Sequence, residues 1–362
     1  LPFLFALALQ GAVGAGMRRK VRPLISGITH PTRDLVLFRD LLRCLEANTY
    51  TGTRLSELRQ VFDSEGLAAS VRITQLERLT HLLDARHNQL FAPIGALLLW
   101  GTQLSLAIAH WQRRWGSQVP AWIKAAGDLE ALNSLAAYHY EHPEDPFPEI
   151  SGVTDAVVFE GQSMGHPLIP DSRCTRNDIR LGSAPQMLLV SGSNMSGKST
   201  LLRTAGVNSV LALAGGTVRA ERLRLSALSV AASIQLHDSL AEGTSRFYAE
   251  ILRLRQILDQ CEERPPVLFL LDEMLHGTNS HDRRIGAQAI VRELLARGAI
   301  GLVTTHDLAL AKIADELAPR VQNVHFEDHL EDGEVRFDYR LRPGVVTKSN
   351  ALDLMRAIGL EV

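Results

Sequence analysis

The chain has 362 residues, with 38 basic and 40 acidic side chains for a formal net charge of −2; 46% of residues are apolar and 22% charged. Such ordinary globular usage excludes a wholly disordered chain, a collagen-like repeat and a multi-span membrane protein. The near-zero charge excludes a uniformly basic nucleic-acid coat and leaves room only for a local basic face.

The length predicts about two domains. Cys44, Cys174 and Cys261 lie far apart, without metal-ligand spacing, and read as reduced thiols of a cytosolic protein. The chain opens on Leu1, which reads as a fragment or a processed chain. Residues 1–16 carry no charge, and Arg18, Arg19, Lys20 and Arg22 follow at once. A signal peptide has the reverse order. Residues 1–22 therefore fit either the end of a transmembrane helix with its basic flank on the cytoplasmic side, or a buried helix of a soluble protein.

Residues 24–142 read as an all-helical domain. Leu35, Phe38, Leu41, Leu42 and Leu45 have helical spacing, and a turn-like stretch, 48–53, follows. Residues 56–62, 71–83 and 90–111 continue the pattern. Residues 90–110 form an apolar run, but Pro93, Gln103 and the Trp/Arg-rich end favour a long buried helix over a lipid span. Residues 121–141 give another amphipathic helix, with Trp122, Leu129, Leu132 and Leu135 on one side. Among the basic residues only Arg113-Arg114 and the cluster at 18–22 are local concentrations. Residues 143–151 sit in a Pro- and acid-rich stretch that reads as a linker.

From residue 152 the pattern changes. Apolar runs at 187–191, 267–271 and 299–304 alternate with helical segments at 199–214, 246–261 and 283–297, which predicts a parallel sheet covered by helices on both faces. A hairpin follows, with Val324 and Phe326 on one arm and Val335, Phe337, Tyr339 and Leu341 on the other, around Asp332-Gly333.

Three motifs in this half carry chemistry. Gly192, Ser193, Asn194, Met195, Ser196, Gly197, Lys198 and Ser199 fit the phosphate-loop pattern G-x-x-x-x-G-K-[ST], after an apolar strand and before a helix. Glycines let the backbone amides curl round a triphosphate, and the helix start aims its positive dipole end at it. Lys198 is expected to reach the β- and γ-phosphates of ATP, and Ser199 to ligate Mg²⁺. The strand at 267–271 ends in Asp272 and Glu273, where α/β proteins place ligands. Asp272 can hold Mg²⁺ through its water, and Glu273 can orient or deprotonate an attacking water. The bland alternative, solvated acids after a strand, loses weight beside the phosphate loop. His306, after Thr304-Thr305, can reach the γ-phosphate, although a lone histidine after a strand is more often a surface residue.

With these motifs on the page, the sequence resembles the ATPase domain of the MutS family over about residues 150–360. The lead-in strands read at 165–168 and 177–179 carry the resemblance. So does Ser193 to Thr200, against the family's P-N-M-G-G-K-S-T, with Ser193 and Ser196 as departures. Residues 243–250, ending in Glu250, resemble S-T-F-x-x-E, and 272–280 resemble D-E-x-x-x-G-T-S. Residues 347–351 resemble S-K-S-Y-G, with Asn350-Ala351 in place of Tyr-Gly. Residues 24–142 resemble the family's lever helices more weakly.

The resemblance implies an α/β P-loop NTPase, related to ABC ATPases, preceded by an all-α lever domain. It implies an Mg²⁺-dependent ATPase that works as a homodimer with ATP between the subunits. Ser245 would face the γ-phosphate of the partner's ATP, although by its position Ser245 also reads as a helix N-cap. The 277–280 turn would cross the same interface, Thr200 would close the phosphate loop, and Tyr339 would stack on adenine. DNA, mismatched or branched, becomes the expected partner, with mismatch repair or recombination as the process and the cytoplasm as the location. The family's Phe-x-Glu mismatch wedge is absent before residue 159, and Phe159-Glu160 fits a lead-in strand better. The competing expectation is a switch tethered to the cytoplasmic face of the inner membrane, acting on a protein partner without DNA. A degenerate, non-hydrolysing ATP sensor is disfavoured because Lys198, Asp272, Glu273 and His306 are all present.

Overall fold

The computed structural model describes residues 32–84, 95, 98–152, 156–234, 246–275, 278–306, 308–331 and 334–346. The apolar segment 1–22, Ser245, Gly277, the turn at 332–333 and residues 347–351 lie outside them. Among the described residues no helix is long and apolar enough to cross a membrane. The chain divides into two units, Leu1–Ser134 and Leu135–Val362.

In the first unit, α1 (Thr32–Ala47) packs on α3 (Ala69–Asp84), and α3 on α4 (Trp100–Trp115). The short α2 (Thr53–Gln60) leads into a two-stranded hairpin, β1 (Asp63–Ser64) and β2 (Leu67–Ala68), which sequence periodicity does not reveal. Leu42, Phe62, Ile73 and Trp122 are the fully buried anchors of this core. Of the predicted stripe on α1, Leu42 is buried but Leu41 is exposed. Of the predicted helix at 90–110, residues 90–94 and 96–97 lie outside the described residues; α4 carries the later part and runs on to Trp115. On α5 (Val119–Glu141), Trp122 and Leu129 are buried while Leu132 is exposed. Leu135, the last residue of the predicted stripe, is half-buried beside Gly216.

The second unit holds two sheets. Six strands are ordered β12-β11-β6-β10-β9-β8. They are β6 (Met187–Ser191), β8 (Ser229–Ser233), β9 (Val267–Asp272), β10 (Ile300–Thr305), β11 (Val321–Glu331) and β12 (Glu334–Pro343). All neighbours are parallel except β11 with β12, the predicted hairpin. The central strands are continuous apolar runs because both faces are covered. Leu188 and Val190 of β6 enter one core with α6 (Lys198–Leu213), and Met187 and Leu189 enter the other. The second core holds α7 (Arg246–Gln260), α8 (Ser280–Ala296) and α9 (Leu308–Glu316). A four-stranded sheet, ordered β3-β7-β4-β5, shares the first face with α6. Its strands are β3 (Glu149–Ser151), β4 (Phe159–Met164), β5 (Asn177–Leu181) and β7 (Arg222–Ser226). The expectation of helices on both faces is corrected accordingly; Phe159 and residues 177–179 are in strands as expected, whereas 165–168, expected as a strand, is loop and turn after β4.

The expected linker is also corrected. Asp145, in the middle of the Pro- and acid-rich stretch, is 3% exposed and ion-paired with Arg219 at 3.2 Å. The Tyr138 hydroxyl donates to the same carboxylate at 2.8 Å. Burial, then that hydrogen bond, pushes the Tyr138 phenol well above its ordinary pKa. Val218 N–H donates to the Pro146 carbonyl, and β3 pairs in parallel with β7. Prolines and acids mark a linker by composition, but here they bury one carboxylate against one guanidinium. Removing the buried Asp145 leaves the buried guanidinium only the exposed Asp171 as counter-ion, at 2.6 Å. Asp145→Ala is therefore expected to lower stability by about 3 kcal/mol, read as a reduced urea midpoint of the second unit's transition.

Candidate functional site

Strand β6 is buried along its length and ends at Ser191; α6 begins at Lys198. Gly192 has φ 151° and Gly197 φ 104°, both outside the comfortable range of L side chains. A Cβ on Gly192 would also stand 2.8 Å from Ser196 Oγ. These two glycines let the loop fold over the start of α6, whose first-turn amides have no intrahelical acceptors. The Lys198 side chain is buried, and its Nζ donates to the carbonyls of Gly192 at 2.9 Å and Ser193 at 2.8 Å. Burial lowers the Lys198 pKa from its ordinary value, against the opposing pull of Glu273 and Asp272. Ser193 Oγ and Ser196 Oγ are buried without a hydrogen-bond partner. Two orphaned hydroxyls beneath a loop of amides fit a phosphate, whose oxygens accept from both kinds of donor.

Parallel register sets the carboxylates beside this loop. Thr305 of β10 pairs with Ser191, and Thr304 with Asp272. The fully buried Thr304 hydroxyl donates to Asp272 Oδ1 at 2.5 Å and accepts from the Glu273 amide at 3.0 Å. Glu273 sits at φ 49°, a left-handed conformation that is costly for a non-glycine residue. Its Oε1 lies 3.9 Å from Lys198 Nζ and 3.4 Å from His306 Nδ1. The turn beyond is held from α7, where the buried Glu250 accepts from the Leu275 amide at 2.6 Å.

A cavity of about 660 Å³ opens over the loop. Asn194, Met195, Gly197, Lys198, Ser199 and Thr200 line it together with Glu273 and Tyr339. Gly192, Ser193, Ser196, Asp272 and His306 do not line it; Thr304 ties Asp272 to the Glu273 amide, and Glu273 touches His306. Ser199 and Asp272 offer one hydroxyl and one carboxylate, the hard-oxygen pair Mg²⁺ takes when phosphates and waters complete its shell. Among the described residues no group of three metal-ligating side chains exists, and such a shell needs none. Tyr339 has φ 55°, and a Cβ on Gly197 would come within 3.1 Å of its ring. Asn177 of β5 clamps it from both sides, donating to the Tyr339 carbonyl at 2.9 Å and accepting from the Leu341 amide at 2.7 Å. Ser245 and Gly277 lie outside the described residues.

Thr304, Asn177 and Glu250 are positioning residues that motif reading does not mark as such. Their roles come from neighbours distant in sequence, and only the strand-end position of Thr304 hints at its role.

The MutS domain V family profile matches residues 188–361. The DNA mismatch repair protein MutS of Oleidesulfovibrio alaskensis is 28% identical over 325 residues, 87% of this chain and 32% of that protein. The endonuclease MutS2 of Thermus thermophilus is 37% identical over 243 residues, 67% of this chain and 31% of that protein. The DNA mismatch repair protein MutS 2 of Haloarcula marismortui is 34% identical over 221 residues, 59% of this chain and 23% of that protein. The chain thus spans a third or less of the length of these relatives.

Because the buried Thr304 hydroxyl satisfies two partly buried partners at once, Thr304→Val is expected to cost about 1–3 kcal/mol. Thr304→Ser, which keeps the hydroxyl, is expected to retain most of that stability. Paired urea titrations of the two variants check this, and equal losses would refute the hydroxyl's role.

Proposed function

We propose, starting from a chain that carries the C-terminal domain V of the MutS family, that it binds and hydrolyses ATP with Mg²⁺ and couples this cycle to DNA. The observation that carries the reading is the convergence of Lys198 Nζ and His306 Nδ1 on one oxygen of Glu273, at 3.9 and 3.4 Å, beside the phosphate loop. The P-loop ATPase-like fold supports it.

The roles follow from position. The amides at the start of α6, with Ser193 and Ser196, would hold phosphate oxygens. The Lys198 ammonium would offset charge on the β- and γ-phosphates. When bound between Ser199 and Asp272, Mg²⁺ supplies Lewis-acid neutralisation of the phosphate oxygens. Glu273 Oε1 would take a proton from the water whose oxygen attacks the γ-phosphorus, as the bond to the β-phosphate oxygen breaks. His306, in contact with that carboxylate, would sense the γ-phosphate. Tyr339 would lie against adenine, its backbone fixed by Asn177.

The partners are read from the relatives, two of which are named for DNA mismatch repair and one as an endonuclease. We assign DNA as the partner, mismatched or branched, within repair or recombination in the cytoplasm. A homodimer would place Ser245 of one copy at the γ-phosphate of the other. The helices of the first unit would act as levers, with α5 as the continuous element between the units.

Steady-state ATP hydrolysis tests the chemistry. Glu273→Gln is expected to keep ATP binding and lose turnover by about 100-fold or more, while Lys198→Ala weakens binding itself. Unchanged turnover in Glu273→Gln would refute the assignment. The protonated form of Lys198 is the one that binds phosphate, and phosphate raises its pKa in turn. ATP affinity is therefore expected to fall as pH rises, beginning below the ordinary lysine value of 10.5 because burial lowers this pKa. A fluorescent ATP analogue titrated from about pH 7 to about pH 10 reads this limb.

A further inference from the structure

A second cavity, of about 510 Å³, lies between α3 and α4. Arg72, Gln75 and Arg78 face it from α3, and His110 and Arg114 from α4. Spacings of three and four residues put each set on one helix face. Among the described residues no carboxylate lines it. Glu65 pairs with Arg114 at 2.7 Å in an exposed contact. Arg78 and His110 are exposed and bond to no other described residue. Arg72 is 8% exposed, its guanidinium stacks 3.8 Å over the Trp115 ring, and its Nε is buried without a hydrogen-bond partner. Arg114 approaches the same ring at 5.1 Å.

A buried guanidinium donor with no acceptor, in a groove walled by further cations, is chemically incomplete. Planar guanidinium forks match phosphate oxygens. The aromatic rings here are not platforms for bases. Trp111 and Trp115 are 6% and 5% exposed, and Trp111 Nε1 is already spent on the Arg72 carbonyl at 3.0 Å. The groove offers charge without a stacking surface, which suits the phosphates of a chain and not its bases. We propose that the groove between α3 and α4 binds the phosphodiester backbone of a polynucleotide, with Arg72, Arg78, His110 and Arg114 donating to its phosphate oxygens. This rests on the reading of DNA as the partner and names where on this chain contact is made.

The test is fluorescence anisotropy of a labelled duplex of about 20 base pairs with the full chain, titrated from about 50 to about 200 mM NaCl. Arg78 is exposed and unbonded to other described residues, so its loss removes charge without disturbing the core. Arg78→Gln is expected to weaken binding about five- to tenfold and to reduce the salt slope by about 0.9, with Arg78→Lys restoring most of both. Arg255→Gln, an exposed arginine of α7 paired with Asp259 at 2.9 Å, is expected to leave both unchanged. A wild-type chain that binds no duplex would remove the DNA reading itself. Binding with an Arg78→Gln slope equal to wild type would overturn this site alone. Inorganic phosphate displacing the duplex where chloride of equal ionic strength does not would assign the groove to a free phosphate and overturn the polynucleotide proposal.

Discussion

The parallel register of three strands is the constraint on which the candidate site depends. Because Thr304 stands beside Asp272 and Thr305 beside Ser191, the phosphate loop, the two carboxylates and His306 all leave the sheet at one edge. Parallel strands align their carboxyl ends, so groups far apart in sequence meet without any loop having to be long. Thr304 then turns proximity into geometry. One hydroxyl holds both the carboxylate of Asp272 and the amide of Glu273, which keeps Glu273 in its left-handed backbone conformation. That conformation is unfavourable for glutamate alone and persists because the surroundings over-determine it.

The second layer of control is electrostatic. Lys198 is buried and wrapped by loop carbonyls, so its charge is least stable where it is most useful. Glu273 and Asp272 compensate in part, which ties the state of the lysine to the same edge of the sheet. A phosphate entering the loop would supply the missing negative charge and satisfy the Ser193 and Ser196 hydroxyls. Those two serines depart from the resembled family pattern, so this chain would bring side-chain donors to a place usually served by backbone alone.

Much of this was legible in the residues, for stated reasons. The phosphate loop is contiguous and its glycines sit where φ must be positive, so Gly192, Gly197 and Lys198 could be read directly. Apolar runs bounded by turns marked β6, β9 and β10, and alternation marked the hairpin of β11 and β12. What failed was long-range. The four-stranded sheet is built from short strands, β3 among them, whose partners are distant in sequence. Asn177 matters only because β5 passes beneath Tyr339. Leu41 and Leu132 have the right spacing for a core stripe and are nonetheless exposed, because periodicity gives a face but not how much of it is covered. The stretch 143–151 was misread because composition cannot distinguish an acid in solvent from an acid facing a buried arginine.

That misread stretch has a practical consequence for where this protein can be cut. Composition marks a boundary at residue 152, yet the Asp145 carboxylate is the buried counter-ion of Arg219, and Arg219 also holds Asp171 at 2.6 Å, close to the cavity-lining Arg173 and Cys174. A piece beginning at residue 152 would keep every recognised motif and lose the buried one of the two carboxylates that pair with Arg219. It would also lose β3, exposing the edge of β7 to stray pairing. The smallest self-sufficient ATPase-like piece therefore starts upstream, within α5 before Tyr138. The last turns of that helix belong to the second unit as structural parts of it, as much as the phosphate loop does.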